Sequence, residues 1–599
     1  MSRTMSPLLV LVHHEEKSET EQNLCGIAGI LGIETVLVRV GPLGVTADPL
    51  PHQLQAATAL AISASAFCAV ETLGLISGDL SELTRGAAKN ILLYGFQSNR
   101  AHADLVARLT GAAVRAITAI PNATRSSFPR DGGPLVGPLS GCDFEREPAP
   151  LDVGFELEAG TGVQRILEVG HTPVFIRLER AGNPLFLWAH ADPIPGPETP
   201  IAEADLVRRC DRFVPALVFL RSAFDGHCWE NPIKTARVII DDPLLKRRYG
   251  FIRYEELFRS MRRLGCGVTT AFIPWNWQRT TRRDARLFAP FLPDHSLCVH
   301  GCDHTGNEFG EGSEYQLAAK ALAALERMDN HRDRTALGSS RVMVFPQGKF
   351  STVAMRALRR AGFLAVVNTT RVPVDCPGDA VTLAQELQPA VTCYSGLPLF
   401  KRRYPADLQA CALDLFLGRP AHIVEHHGWF RHGCGDFERC VEWLKAVQPG
   451  LSWPSLEVAL PRQHLRRMST GGGIEIQFFT PQFSFENPLD QAASYVFSKP
   501  EPDPSLVGSV TVDGNPVACD RVDGVVRFCF RLQPRQSMAV AVNVANCPEG
   551  VRWSPPFKYR VRVGLRRALS EMRDNHLARH PGAFRAAKAI TGALRARSR

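Results

Sequence analysis

The spacing of hydrophobic residues divides the 599-residue chain into regions with different secondary structure. From Pro7 to about Arg221, apolar runs such as LLVLV, TVLVRV and ILLYGF alternate with helix-like stretches. This alternation predicts an α/β domain over residues 1–221. The proline-rich segment ADPIPGPET is typical of an exposed connection, so we place the domain boundary between this segment and Gly226.

Residues 226–450 show the most regular alternation of strand and helix. Apolar runs such as VIID, VTTAFIPW, SLCVH and RVMVF are followed by segments with helical periodicity. The predicted helices cover residues 252–264, 284–291, 314–329, 352–361, 408–417 and 436–447. About six or seven strand-helix repeats in one region predict a (β/α) barrel, either complete or with a strand missing.

The helical period disappears over residues 455–550. Segments such as GIEIQFF, SVTVDG and MAVAVNVA alternate or run β-branched between turn residues, which predicts a small β-rich domain, an antiparallel sandwich or sheet. Residues 556–599 form a basic tail with a helical pattern, which Pro581 should break in two. We therefore expect an α/β protein in which a central barrel lies between an N-terminal α/β domain and a C-terminal β domain.

Length and composition are those of a multidomain globular protein. The chain is too long for one core, and 45% apolar with 22% charged residues is an ordinary balance. The N-terminal apolar run, Pro7 to Val12, is short and lacks a cleavage site, so it is typical of a strand and not of a signal peptide. Sixteen cysteines without a CxxC pair favour a reducing compartment, and we expect the cytoplasm.

The formal charge of +9 is concentrated at the C-terminus. From Pro556 onward, twelve Lys and Arg stand against Glu571 and Asp574, so the tail carries +10 and the preceding 555 residues about −1. The tail either packs one face and exposes a charged face, or docks on an anionic membrane surface or a protein partner. Peripheral attachment at the inner face of the membrane follows from the second alternative. A near-neutral body without a recognition motif argues against nucleic-acid binding.

Two adjacent carboxylates follow the apolar run in ARVIIDDPLLKRRYG. Val238, Ile239 and Ile240 are β-branched and consecutive, which indicates a strand buried on both faces of a parallel sheet. Asp241 and Asp242 would then lie at the C-terminal end of a barrel strand, where α/β barrels place their active sites.

A second group of polar residues follows the run SLCVH. In VHGCDHTG, His300 and His304 are separated by three residues at a predicted strand end. Two imidazoles at this spacing can reach one metal ion. With a strand-end carboxylate they form a two-histidine, one-carboxylate face that leaves coordination positions open for water and substrate.

The order VIIDDP, HGCDH, VFPQGKFS and IVEHHGWF resembles the polysaccharide deacetylases of the NodB-homology type, carbohydrate esterase family four. The resemblance covers about 200 residues and implies a deacetylase-like (β/α) barrel. More loosely, the order of elements over residues 1–221 resembles flavodoxin-like and amidotransferase-like domains.

The family resemblance implies a role for each matching residue. The base would be Asp241, and a divalent metal, with zinc expected first, would be held by Asp242, His300 and His304. The general acid would be His426 or His427, and since strand alternation puts them on opposite faces, only one can line the barrel mouth. Substrate contacts would come from the loop residues Phe345, Pro346 and Gln347. Apart from the resemblance, Trp429 follows the strand-end histidines, and its ring suits stacking on a sugar.

The chain departs from the family pattern at two motifs. Pro243 replaces the glycine that follows the aspartates, so the backbone of this turn must differ. The VFPQG loop lacks the family's arginine and tyrosine, and Gln347 stands in the tyrosine's place. That tyrosine acts through its backbone N–H, and a backbone donor survives replacement of the side chain.

Three functions are compatible with these motifs. The first is a metal-dependent hydrolase that removes an acetyl group from a carbohydrate or glycoconjugate, for example a lipid-linked or nucleotide-linked sugar of surface polysaccharide biosynthesis. The second is a catalytically inactive carbohydrate-binding or scaffold protein on the same barrel, which the missing arginine and tyrosine favour. The third, glycosidic-bond hydrolysis, needs two carboxylates across the sugar, and adjacent Asp241 and Asp242 serve that chemistry badly.

Overall fold

The computed structural model describes residues 8–14, 19–41, 44–45, 57–72, 89–180, 182–189, 194–376, 381–469 and 471–579. They form an N-terminal α/β region, a central barrel, a β sandwich and a C-terminal helix. This confirms the predicted α/β class with a central (β/α) barrel. The predicted helix break at Pro581 lies outside the described residues.

The N-terminal region is built on a ten-stranded mixed sheet in the order β3-β2-β1-β4-β5-β12-β11-β10-β7-β8, and β6 pairs with β9 beside it. Its elements are β1 Leu8–His14, α1 Glu19–Ile30, β2 Glu34–Gly41, β3 Gly44–Val45, β4 Ala59–Ser63, α2 Ala64–Thr72, β5 Asn90–Tyr94, α3 Arg100–Thr110, β6 Val114–Ala119, β7 Arg125–Ser127, β8 Asp143–Glu145, β9 Val153–Leu157, β10 Gln164–Val169, β11 Thr172–Arg180, β12 Asn183–Trp188, α4 Glu203–Arg208 and α5 Val214–Ala223.

Only one half of this sheet shows the parallel pairing that is typical of alternating strands and helices. Strands β2, β1, β4, β5 and β12 are parallel, whereas β12, β11, β10, β7 and β8 pair antiparallel. The reason is loop length: Gly170 and His171, both with positive φ, make a two-residue turn between β10 and β11. Such a short turn can join only antiparallel neighbours.

The barrel consists of seven parallel strands in the order β20-β19-β18-β17-β16-β13-β21. The two edge strands meet where Arg403, just after β20, pairs with Ile423 of β21, so the sheet closes on itself. Its elements are β13 Ala236–Asp241, β14 Arg248–Tyr249, β15 Ile252–Arg253, α6 Tyr254–Leu264, β16 Val268–Phe272, α7 Arg282–Phe288, β17 His295–His300, α8 Glu314–Thr335, β18 Val342–Val344, α9 Thr352–Arg360, β19 Ala365–Asn368, α10 Leu383–Glu386, β20 Leu399–Lys401, α11 Leu408–Phe416, β21 Ala421–Glu425 and α12 Gly435–Val447.

Strand alternation separates the residues inside the barrel from those under the helices. Ile239, Cys298 and Phe400 belong to the apolar cluster that fills the barrel, while Val238 and Ile240 pack in the layer between the strands and the helices. The next inward position of each strand lies two residues further along. The C-terminal ends of β13, β17 and β20 therefore direct three polar side chains into the barrel mouth. These are Asp241, His300 and Arg402.

The C-terminal β region is a two-layer sandwich, one of the two predicted forms, but its pairing is not antiparallel throughout, because β23 and β25 are parallel. A five-stranded sheet, β22-β23-β25-β29-β28, faces a four-stranded sheet, β24-β30-β26-β27, and both contribute to one aromatic-rich core. Its elements are α13 Leu456–Ala459, β22 His464–Met468, β23 Ile474–Phe478, β24 Gln482–Glu486, β25 Ala493–Pro500, β26 Val507–Val512, β27 Asn515–Pro516, β28 Asp520–Val522, β29 Val525–Leu532 and β30 Ser537–Val544.

A last helix, α14 Phe557–Asn575, returns from the sandwich to the barrel. Its buried residues are Val563, Arg567 and Asp574. They face the loops that follow β13 and β17, so the helix lies over the barrel mouth. None of the described helices combines the length and the apolar composition that a membrane crossing requires.

Candidate active site

Asp241 occupies the inward position at the end of β13, two residues after Ile239. Its carboxylate accepts a hydrogen bond from each terminal nitrogen of Arg402, at 2.7 Å to Oδ1 and 2.9 Å to Oδ2. Both side chains are buried. Burial alone would raise the pKa of Asp241, but Arg402 and His300 outweigh it and lower that pKa below its usual value. Asp241 is therefore an ionised, rigidly oriented carboxylate.

Asp242, the next residue, faces two imidazoles. Its Oδ1 lies 3.3 Å from His300 Nε2 and 3.0 Å from His304 Nε2. His300 is held by a contact of 3.0 Å between its Nδ1 and the carbonyl oxygen of Val344, which turns Nε2 toward Asp242. Fixing one ring nitrogen in this way is the usual means of orienting a histidine that ligates metal through the other.

The donor atoms of Asp242, His300 and His304 fit a metal ion. All three lie within 4.8 Å of one another. Within the described residues no well-directed hydrogen bond reaches the buried Oδ1 of Asp242, although two imidazole nitrogens lie beside it. One carboxylate oxygen and two imidazole nitrogens are the donors that zinc and related divalent ions accept. The set uses one face of an ion and leaves positions open for water and substrate.

The electrostatic environment favours the ionised form of Asp242 and the uncharged form of His304. Burial would raise the pKa of Asp242, but His304 and His300 hold it well below its usual range. Burial lowers the pKa of His304, which favours its neutral form. Burial opposes the charge on His300 as well, yet Asp241 and Asp242 together raise its pKa. A metal ion that replaced the proton of His300 would meet the same two negative charges.

The loop between His300 and His304 is shaped by a buried carboxylate that the sequence-based reasoning missed. Glu308 accepts hydrogen bonds from the backbone N–H groups of Cys302, Asp303 and His304 at 2.7–3.1 Å. Cys302, Asp303 and Glu308 also lie close enough to form a second metal-like group. Their carboxylates are already engaged, since Asp303 accepts from Trp553 and Tyr559 and pairs with Arg327. We therefore interpret this group as a structural support of the histidine loop.

Three residues of the site adopt the left-handed backbone conformation: Asp242 with φ 79°, His304 with φ 57° and Gln347 with φ 59°. Non-glycine residues in this region are uncommon and concentrate at functional sites. Asp242 itself makes the turn, and Pro243 follows with its fixed φ. The turn therefore differs from one that relies on a glycine after the two aspartates.

The structure gives the two candidate general acids, His426 and His427, different surroundings. Ile423 packs toward the helices, so the inward positions of β21 are His422 and Val424, and the next is His426. His426 is close enough to Asp241 to contribute to its lowered pKa. His427 turns away to Asp574 of α14, with its Nε2 3.3 Å from Oδ1.

Aromatic rings enclose His427 on the side of the β14–β15 hairpin. Its ring stacks on Phe251 with centroids 5.7 Å apart and meets Tyr249 edge-on at 5.8 Å. A Cβ on Gly250 would lie 2.4 Å from its Nδ1, so only glycine fits opposite the ring. Of the two adjacent histidines, His427 is thus a packing and hydrogen-bonding residue in this arrangement.

Most of the residues predicted to contact the substrate are buried or packed in the core. Phe345 is fully buried and stacks on Phe350, so its side chain belongs to the core and cannot touch a substrate in this structure. Pro346 is also buried, whereas Gln347 is exposed at the turn after β18. Trp429 packs partly buried against Phe430 and Phe437, as an aromatic core residue does. Of these four residues, only Gln347 is exposed to solvent.

Helix α14 adds residues to the site that no sequence motif indicates. Arg567 is buried, and one of its terminal nitrogens lies 3.4 Å from His304 Nδ1. Asn575 accepts a hydrogen bond from the backbone N–H of Gly250 at 2.8 Å, and Tyr249 donates to Asp574 at 2.9 Å. Because these contacts span more than 260 positions along the chain, spacing in the sequence could not reveal them.

No protein-family model matches this chain, and no curated protein matches its sequence. Solved structures do match. Agd3, described as a novel carbohydrate deacetylase, matches over 90% of this chain and 99% of its own at 10% identity, with a TM-score of 0.45. A family 4 carbohydrate esterase from Streptomyces lividans matches over 37% and 91% at 12% identity, with a TM-score of 0.24. A CE4 family pseudoenzyme from Bacillus anthracis matches over 38% and 67% at 9% identity, with a TM-score of 0.24.

Proposed function

We propose that the protein is a metal-dependent hydrolase that removes an acyl group, such as acetyl, from a carbohydrate or glycoconjugate. The supporting observation is that two adjacent carboxylates at the end of β13 have different partners. Asp241 is bound by Arg402, whereas Asp242 faces His300 and His304. A proton acceptor and a metal ligand side by side at a strand end suit metal-assisted hydrolysis of an amide or ester.

The residues that would hold the metal are Asp242, His300 and His304, and zinc is the ion that suits their donor atoms best. When bound, the ion supplies Lewis acidity and lowers the pKa of water to about 7. The imidazole of His300 keeps its orientation through the carbonyl of Val344, and the loop that carries His304 is fixed by Glu308.

Asp241 would act as the base that accepts a proton from water. Its lowered pKa keeps it ionised at neutral pH, and Arg402 uses only one lone pair on each oxygen. His426 has the inward position on β21 and would donate a proton to the departing amine or alcohol. The backbone N–H of Gln347 would stabilise the developing oxyanion.

The inactive binding protein is a weaker proposal than the sequence suggests. It rested on the missing arginine and tyrosine of the VFPQG loop. Arg402, just after β20, holds the carboxylate of Asp241 as the family's arginine would, and the tyrosine's backbone donor survives at Gln347. Glycosidic-bond hydrolysis also lacks support. That reaction needs two carboxylates that flank the sugar. Here Asp241 binds Arg402 and Asp242 faces the histidines.

Zinc content and acetate release from acetylated sugars test the proposal together. After mild exposure to zinc, the wild type should hold about one zinc per chain and His300→Ala none. Asp241→Asn should keep the zinc and lose acetate release. The matched control is His432→Ala, at an exposed histidine outside the site, which should keep both. A zinc-free wild type, or full activity in Asp241→Asn, would refute the proposal.

A further inference from the structure

Helix α14 presents five apolar residues to solvent. Phe557, Val561, Leu565, Leu569 and Met572 are 77%, 51%, 60%, 51% and 49% exposed. They follow one another at intervals of four, four, four and three residues, so they form a continuous line along the helix, which we call the apolar stripe. A contiguous exposed apolar surface of this kind marks an interaction site more often than chance exposure does.

The stripe lies on the face opposite the barrel. Tyr559, Val563, Arg567 and Asp574 form the inner face, and their side chains are buried or bonded to the barrel. At 100° per residue, the stripe is half a turn away from these positions. The helix is therefore fixed by its inner face, and the stripe takes no part in the fold of the chain described.

Charge distinguishes the outer surface of the helix from an ordinary solvated face. Lys558, Arg560, Arg562 and Arg566 flank the stripe. Both acidic residues of the helix turn toward the barrel, where Glu571 pairs with Lys246 and Arg279. Asp574, the other acid, is buried beside His427. The outward surface is thus apolar and cationic, with no exposed acid.

The sequence continues this charge beyond the described residues. Residues 580–599 contain Arg585, Lys588, Arg595, Arg597 and Arg599 and no Asp or Glu. Basic residues next to an amphipathic helix strengthen its attraction to anionic lipids.

We propose that α14 docks on an anionic lipid bilayer through the apolar stripe. Helices with an apolar face and a cationic flank lie in the plane of a membrane surface, with the apolar side chains inserted between the headgroups. A second copy of this chain would bring a like-charged helix against the stripe, and nucleic acid would leave the apolar residues exposed. Since the inner face covers the barrel mouth, docking would hold the site close to the membrane. This inference does not depend on the proposed chemistry.

Vesicle flotation of the full chain tests the proposal. The probes are vesicles of phosphatidylcholine alone and vesicles with about 30% phosphatidylglycerol. We expect the wild type to float with the anionic vesicles at least about tenfold more than with the neutral ones, and less at high salt. Leu565→Asp with Leu569→Asp should abolish flotation, because both changes place a carboxylate in the stripe. The matched control is Leu151→Asp with Leu506→Asp, at residues 65% and 55% exposed elsewhere, which should float like the wild type.

Three outcomes would overturn the proposal. The first is a wild type that does not float with anionic vesicles at low salt. The second is equal flotation of the stripe variant, which would assign binding to the basic residues alone. The third is a dimer, seen by light scattering during gel filtration, that the stripe variant splits while no flotation occurs. Circular dichroism must show the same helix content for all variants, which surface positions should preserve.

Discussion

Arg402 and Asp241 form a two-point ion pair inside the barrel mouth, with hydrogen bonds of 2.7 and 2.9 Å between residues 161 positions apart in the chain. The arginine follows β20 and the aspartate ends β13, two strands that only β21 separates in the closed barrel. Two parallel hydrogen bonds fix both the position and the plane of the carboxylate. Asp241 is thereby held in one orientation beside the group formed by Asp242, His300 and His304.

Replacement of Arg402 should damage catalysis and change its pH dependence. We expect Arg402→Met to lower kcat/KM by about 100-fold or more, since the base loses its orientation. Arg402 offsets the effect of burial on Asp241, so its loss should raise the pKa of that carboxyl. The acid limb of the pH profile of kcat/KM should therefore move to higher pH.

The conservative variant separates charge from geometry. Arg402→Lys keeps the positive charge but cannot make both hydrogen bonds, so it should lose rate with a smaller shift of the acid limb. An acid limb that stays in place in Arg402→Met would contradict the assignment of Asp241 as the base. Arg402→Met leaves the buried carboxylate of Asp241 without its partner, which is destabilising. Thermal melts should therefore be measured together with the kinetics.

Replacement of His426 and replacement of His427 should have different effects. His426→Ala should lower kcat by about 10²–10⁴-fold and leave zinc binding intact, as loss of a general acid does. His427→Ala should affect kcat much less but loosen α14, because it removes the contact with Asp574. Hydrogen exchange of residues 557–575 measures that loosening, and Asp574→Asn should reproduce it. Equal kinetic losses in both histidine variants would contradict the assignment.

Removal of Arg567 should tighten zinc binding. A guanidinium can only donate hydrogen bonds, so its contact with His304 Nδ1 requires that nitrogen to lack a proton. A histidine that ligates through Nε2 carries its proton on Nδ1, and the positive charge of Arg567 also repels a cation. We expect Arg567→Met to lower the zinc Kd by about tenfold in competition with a chelating dye. Arg566→Met is the control on the same helix, and an unchanged Kd in Arg567→Met would refute the coupling.

Lys499 should make stability depend on pH. Its ammonium is fully buried beside Glu501, and burial lowers its pKa to about 7. Between pH 7 and about 10.5 the unfolded chain therefore binds more protons than the folded chain, so the free energy of unfolding rises with pH. Lys499→Met should flatten this rise, while Glu501 keeps its partner Arg359. Denaturant titrations at pH 6.5 and about 9.5 measure the difference, with exposed Lys349→Met as the control. An equal slope in Lys499→Met would contradict the prediction.

Local sequence determined the elements of the barrel and the residues at its strand ends. The β-branched run before Asp241 and the apolar run before His300 give each strand, and the period of two assigns the inward side chains. The same rule could have identified Arg402, two residues after the inward Phe400, because Asp241 and His300 stand in the same relation to Ile239 and Cys298. Such information lies within a few residues, and it fixes which side chains can enter the mouth.

Only the tertiary structure decided which of these side chains meet. The pairing of Arg402 with Asp241 depends on barrel closure, and the support of the histidine loop by Glu308 depends on the path of a turn. The separation of His426 from His427, and the approach of Arg567 to His304, depend on where α14 packs. Hydrophobic periodicity records the face that a residue presents, but it carries no information on the partner across the space. Partners were set by the closure of the sheet and the return of the last helix, because only these bring distant charges within hydrogen-bonding reach.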